Sequence, residues 1–186
     1  KEVIKNSIKD IYGKNSYALL SVNSVKLRLK WASEAFIKLV FDELIAEDFL
    51  VQDNNLYKNA NIKEDFMVNL EQNVLDRLET EGLTPTAPYN IYDELDLDRK
   101  MGDTILKSLC SKKKVQRMQH NVFIHTDSLN QLVQSMRAIM KNEGYINIQN
   151  FKEKFPMSRK YIVTYLDYLD NFGDVKKQDQ RRVLVT

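Results

Sequence analysis

Cysteine, proline, glycine and histidine are all scarce, at one, three, five and two among 186 residues. A lone Cys110 forms no internal disulfide and supplies no metal-ligand cluster. Set among Ile105, Leu106 and Leu109, it reads as a small buried hydrophobe. So few glycines and prolines leave little room for turn-dense β architecture, and a helix-rich chain is expected. No run of about 18 uncharged apolar residues occurs, so no membrane-spanning helix is expected. The start at Lys1 shows neither a signal peptide nor an initiator methionine, which suggests a cytoplasmic fragment of something longer. At 43% hydrophobic and 29% charged, the composition is that of a globular protein of one ordinary domain or two to three very small ones.

The chemistry of common enzymes is missing as well. No G-x-x-x-x-G-K-[ST] loop is present, and Gly13, Gly82, Gly102, Gly144 and Gly173 stand apart, so no phosphate-cradling site and no GTP hydrolysis are expected. His120 falls in a turn and His125 at a strand end, both read as surface residues with no partners at metal spacing; neither a zinc site nor any cofactor is expected. Trp31, Phe36 and Phe41 read as core or as a seam between modules rather than a ligand cage.

What is present is uneven charge and a repeat. The net charge of +2 hides a segment from 64 to 98 with ten acids against Arg77 alone, a basic segment from 99 to 117 at +6, and a C-terminal stretch from 151 to 186 at +3. Such polarity can orient a molecule on an anionic partner. Helical segments followed by two short apolar runs around a polar turn occur three times. The turns are Asp53-Asn54-Asn55, Gln119-His120-Asn121 and Gln178-Asp179-Gln180. Before each hairpin lies an amphipathic helix, carried by Phe36, Leu39, Val40 and Leu44, by Met101, Ile105 and Leu109, and by Ile162, Tyr165, Leu166 and Leu169. The last of these is expected to start at Ser158 and to end at Gly173, and another helix, capped by Asp127 or Ser128, precedes it. Three helices and a hairpin wing make a winged helix, so the fold class is mostly α with small β-hairpins, in tandem winged-helix modules over 1–61, 62–127 and 128–186.

The candidate binding residues lie in the last module. Ser158, Arg159, Lys160 and Tyr161 open its third helix, and Lys176, Lys177, Arg181 and Arg182 line its wing. Cations in the first turn of a helix are disfavoured by its dipole, so they suit an anion held against free N–H groups. On the helical wheel Lys160, Thr164 and Asn171 point away from the core, and Tyr161 shares a flank with Tyr168, where it can either stack on a base or pack on its own helix. The same helix carries Asp167 and Asp170, which would meet the phosphates of a DNA major groove; RNA, read at splayed bases and phosphates, fits better.

Ser158-Arg159-Lys160-Tyr161, then Tyr165 to Asp170, Gly173 and Arg182-Val183-Leu184 resemble the end of the selenocysteine-specific elongation factors. Glu81-Gly82-Leu83-Thr84-Pro85 and Phe123-Ile124-His125 extend the likeness upstream, with Leu19-Leu20 and Leu27-Arg28 more loosely. The resemblance implies the final three of four winged-helix modules that follow a translation GTPase. It implies RNA contacts at Ser158, Arg159, Lys160, Tyr161 and Arg182, with the selenocysteine insertion hairpin (SECIS) of a messenger RNA as partner. The ribosome is a further candidate partner, and GTP and selenocysteinyl-tRNA are expected on the longer factor. At the wing tip the family usually has Gly-Asp, where this chain has Asp179-Gln180. A DNA-binding regulator and a protein-interaction scaffold are the alternatives of other classes.

Overall fold

The structure, a computed structural model, describes residues 1–62 and 66–186. The first two acids of the acidic segment, Glu64 and Asp65, therefore lie outside the described residues. One order of elements recurs: three helices, then two antiparallel strands. The first set is α1 (Glu2–Lys14), α2 (Val22–Arg28), α3 (Glu34–Ala46), β1 (Leu50–Asp53) and β2 (Leu56–Asn59). The second is α4 (Phe66–Glu81), α5 (Pro88–Glu94), α6 (Arg99–Ser111), β3 (Val115–Gln119) and β4 (Val122–His125). The third is α7 (Thr126–Glu143), α8 (Ile148–Lys154), α9 (Arg159–Leu169), β5 (Val175–Gln178) and β6 (Arg181–Leu184). This is the mostly helical winged-helix architecture expected from the sequence.

Contacts group these elements into two compact units, residues 1–77 with 88–109, and residues 78–87 with 110–186. In the first unit, α1 buries Ile4, Ile8 and Tyr12, spaced to share one face, against Ile37, Val40, Phe41 and Leu44 of α3. Ser21 and Ser24 form a reciprocal capping box that starts α2, and the Ser33 hydroxyl accepts from Phe36 N–H to start α3. The buried stripe of α3 is set one residue from the expected one: Ile37 and Phe41 point inward, while Leu39 is 46% exposed. Trp31 is also no core residue. It sits in the turn after α2, 66% exposed, whereas Phe41 is buried and stacks on Tyr57 at 3.8 Å.

In the second unit one core joins Leu129, Leu132, Met136 and Met140 of α7 to Phe151 of α8 and to Ile162, Tyr165, Leu166 and Leu169 of α9. Val122 and Ile124 of β4 belong to the same core. Because α7 begins at Thr126 directly after β4, His125 becomes its N-cap and is buried, contrary to its expected surface position; His120 is exposed. Cys110 is half-buried, and burial raises its thiol pKa against the opposing pull of Arg117. α9 stops at Leu169, short of the expected Gly173, with Asp170 as C-cap.

Both terminal wings are widened by one bridge to the segment before their second helix. Leu20 exchanges backbone hydrogen bonds with Tyr57, and Ile146 does the same with Arg182. Each of these wings turns through a two-residue loop whose first residue, Asn54 or Asp179, has φ 55°. Asn and Asp tolerate that left-handed conformation without glycine, which accounts for Asp179 at the wing tip.

Candidate nucleic-acid interface

α9 begins at Arg159 with Ser158 as N-cap, but the Ser158 hydroxyl makes no cap hydrogen bond. Only its carbonyl is used, accepting from Tyr161 N–H at 3.1 Å and Ile162 N–H at 3.2 Å. The first N–H groups of the helix thus have no side-chain cap and face the same end as the exposed Arg159 and Lys160. Neither cation forms an ion pair among the described residues; the Lys160 ammonium lies 5.5 Å from the Tyr161 ring centroid.

Tyr161 is held rather than free. Its hydroxyl donates to the carbonyl of Pro85 at 2.9 Å, and the hydroxyl of Tyr165 donates to the carbonyl of Leu83. Burial raises the Tyr165 pKa well above the ordinary tyrosine value. Residues 83–85 therefore line one flank of α9, and β3 lies against the same helix. Thr164, expected on the outer face, shares that flank and is buried, its hydroxyl donating to the Lys160 carbonyl at 2.8 Å. No local pattern signals the bonds of Tyr161 and Tyr165, because their partners lie about eighty positions earlier in the chain.

On the wing, Lys176 and Lys177 are exposed and unpaired among the described residues. Arg181 is exposed with its guanidinium 4.9 Å from the ring centroid of Tyr145, a residue the sequence did not single out. Arg182 differs from all of these. Its side chain is 6% exposed, its Nε donates to Asp170 at 3.1 Å, and its Nη2 donates to Asp167 at 2.8 Å and to Asp170 at 3.1 Å. The two acids expected to repel phosphates are thus paired, and the wing is fastened to the C-terminal end of α9. Arg159 lies about 15 Å from that end, the length of an 11-residue helix. Ser158, Arg159 and Lys160 are together at one end of α9, while the wing is anchored at the other. Among the described residues no group of three or more His, Cys, Asp or Glu is arranged to hold a metal ion, and no helix is long and apolar enough to cross a membrane.

These modules define a tandem winged-helix protein. Residues 137–184, within the last module, match the protein family described as elongation factor SelB, winged helix. The fold is similar to the mRNA-binding domain of elongation factor SelB from E. coli, a structure solved in complex with SECIS RNA. That likeness has a TM-score of 0.54 at 15% identity and covers 62% of this chain and 97% of that one. It is also similar to a bacterial selenocysteine-specific elongation factor, with a TM-score of 0.51 at 19% identity over 100% of this chain and 30% of that one. The chain therefore spans about a third of that factor's length. No curated protein matches the sequence. The family match is confined to the last module, and the likeness of the rest to these two structures is one of fold.

Proposed function

We propose that this chain is the RNA-binding C-terminal part of a selenocysteine-specific elongation factor, built of three winged-helix modules over 1–61, 62–127 and 128–186. In this reading the last module holds the selenocysteine insertion hairpin of a selenoprotein message, so that an in-frame UGA is read as selenocysteine in the cytoplasm. The observation that carries the reading is a coincidence of place. The SelB family match ends on the wing and spans α9, and the same stretch presents Arg159, Lys160, Lys176, Lys177 and Arg181 without ion-pair partners among the described residues.

Exposed cations beside uncapped N–H groups suit phosphate, because each neutralised phosphate releases counterions and each N–H donates to its oxygens. Arg182 acts as support: it fixes the wing against α9 and keeps Asp167 and Asp170 from facing the RNA as bare charges. Tyr161, anchored on Pro85, fixes the start of α9, with its ring 5.5 Å from the Lys160 ammonium. The chain performs no chemistry in this reading; GTP and selenocysteinyl-tRNA are assigned to the longer factor, and the ribosome to its working complex.

A gel-shift panel tests the assignment, using selenocysteine insertion hairpin RNA, a hairpin of unrelated loop sequence and duplex DNA of equal length. Preference for the first is expected. Equal binding to duplex DNA favours a transcriptional regulator, and no binding to any favours a protein scaffold.

A further inference from the structure

The start of α9 has a counterpart within the chain. Arg99, Lys100, Thr104, Leu106 and Leu109 of α6 recur sixty residues later as Arg159, Lys160, Thr164, Leu166 and Leu169. The likeness extends to local bonding: the Thr104 hydroxyl donates to the Lys100 carbonyl at 3.1 Å, as that of Thr164 does to Lys160. In the first compact unit this repeated Arg-Lys pair opens onto a groove of about 670 Å³. The β1–β2 wing also lines it, through the exposed side chains of Gln52, Asn54 and Asn55, the Gln52 amide donating to the Asn54 carbonyl at 2.6 Å. A helix start and a wing thus frame this groove too, although they belong to different repeats.

The groove differs from the α9 end in one decisive way: its arginine is held by a carboxylate. Asp93 accepts from Arg99 Nε at 3.1 Å and from Nη2 at 2.8 Å, and the guanidinium lies 4.8 Å from the ring centroid of Tyr89, itself 48% exposed. Paired planar groups held in place form a stacking platform for an unpaired base. Lys100 is exposed and has no ion-pair partner among the described residues, so one phosphate can be met there. The carboxylate of the buried Asp98 is engaged by the Ser21 and Ser24 hydroxyls and by Met101 N–H. Glu34, Asp98 and Asp103 balance Lys38, Arg99 and Lys100 in the lining, which favours a base with a single phosphate over the phosphate run of a duplex.

We infer that the groove between the β1–β2 wing and the start of α6 binds unpaired RNA, with a base on the Tyr89–Arg99 platform, its edge against the wing amides and its phosphate at Lys100. This goes beyond the hairpin reading and adds a second RNA site. The strand is either the single-stranded flank of the hairpin-bearing message or a separate RNA.

The test measures fluorescence anisotropy of the full chain with three probes: a blunt selenocysteine insertion hairpin, the same hairpin with a single-stranded tail of about ten nucleotides, and that tail alone. The free tail is expected to bind, at least about fivefold more weakly to a folded Tyr89→Ala variant. In Lys100→Ala its log-log salt slope is expected to fall by about 0.7. Affinity for the blunt hairpin is expected to stay unchanged in both variants. A tail that strengthens hairpin binding identifies the message flank as the source; a tail that binds only when free identifies a separate strand. Failure of the free tail to bind, or binding untouched by both variants, overturns the inference. Loss of blunt-hairpin binding alone, with tail binding still sensitive to Tyr89 and Lys100, overturns the hairpin reading and leaves this one standing.

Discussion

Arg182 shows how much one residue can decide at the candidate interface. Its backbone exchanges hydrogen bonds with Ile146, while its side chain bridges to Asp167 and Asp170. In the first repeat the equivalent position is Tyr57, which exchanges hydrogen bonds with Leu20 and reaches the third helix by stacking on Phe41. The same join is made once by charge and once by an aromatic face. Because Asp167 and Asp170 are 55% and 36% exposed, they can rehydrate when the arginine is removed, so loss of the charged hydrogen bonds sets the cost. Arg182→Ala should lower the unfolding free energy by about 1 to 3 kcal/mol in urea titration. Arg182→Lys should recover little of this, lacking the planar fork. The salt slope of RNA binding should be unchanged in either folded variant; a shallower slope at wild-type stability would return Arg182 to the phosphate contacts. The sequence placed Arg182 with its cationic neighbours because a one-dimensional reading gives only proximity along the strand. Alternation along β6 puts Arg181 outward and Arg182 inward.

At the scale of elements, the three hairpins and the helix before each were legible, because apolar spacing and polar turns are local signals. The flanks were not. Thr164 and Tyr161 look exposed on a wheel built from α9 alone, yet Thr164 is buried and Tyr161 is bonded to Pro85, far away in sequence. Likewise the helix ends shifted where a neighbouring element took over, as at His125, where strand passes directly into helix. The contact between α9 and 83–85 makes a prediction about pH. Tyr165 is buried with its pKa raised in the folded state, so its contribution is complete below about pH 10, the ordinary tyrosine value, and is lost as pH rises beyond it. Tyr165→Phe should cost about 1 kcal/mol at neutral pH through the lost bond to Leu83. It should also flatten the fall of the urea midpoint above about pH 10 relative to wild type. Parallel alkaline limbs in the two proteins would rule out Tyr165 as a titrating element of the fold.

Over the whole chain, the repeat seen in sequence and the compact units seen in space divide the residues differently. Repetition yields three modules, whereas packing gathers 78–87 with 110–186. The difference has a physical source: Val122 and Ile124, from the second hairpin, lie in the core that α7 to β6 build, beside Leu83 and Met118 at its margin. A fragment of residues 128–186 should therefore unfold at lower urea than a fragment of 78–186, because it loses both buried side chains, each about 1.5 to 3 kcal/mol when fully buried. Equal midpoints would mean that the last module closes its core unaided. The function proposed for that module depends most directly on the two cations at the start of α9. The decisive measurement is the salt dependence of hairpin RNA affinity for the full chain and for the Arg159→Ala, Lys160→Ala double variant, each verified as folded by circular dichroism. The account predicts weaker binding and a log-log slope smaller in magnitude by roughly 1.4 to 1.8, two phosphate contacts' worth. Wild-type affinity and wild-type slope in the folded double variant would contradict it.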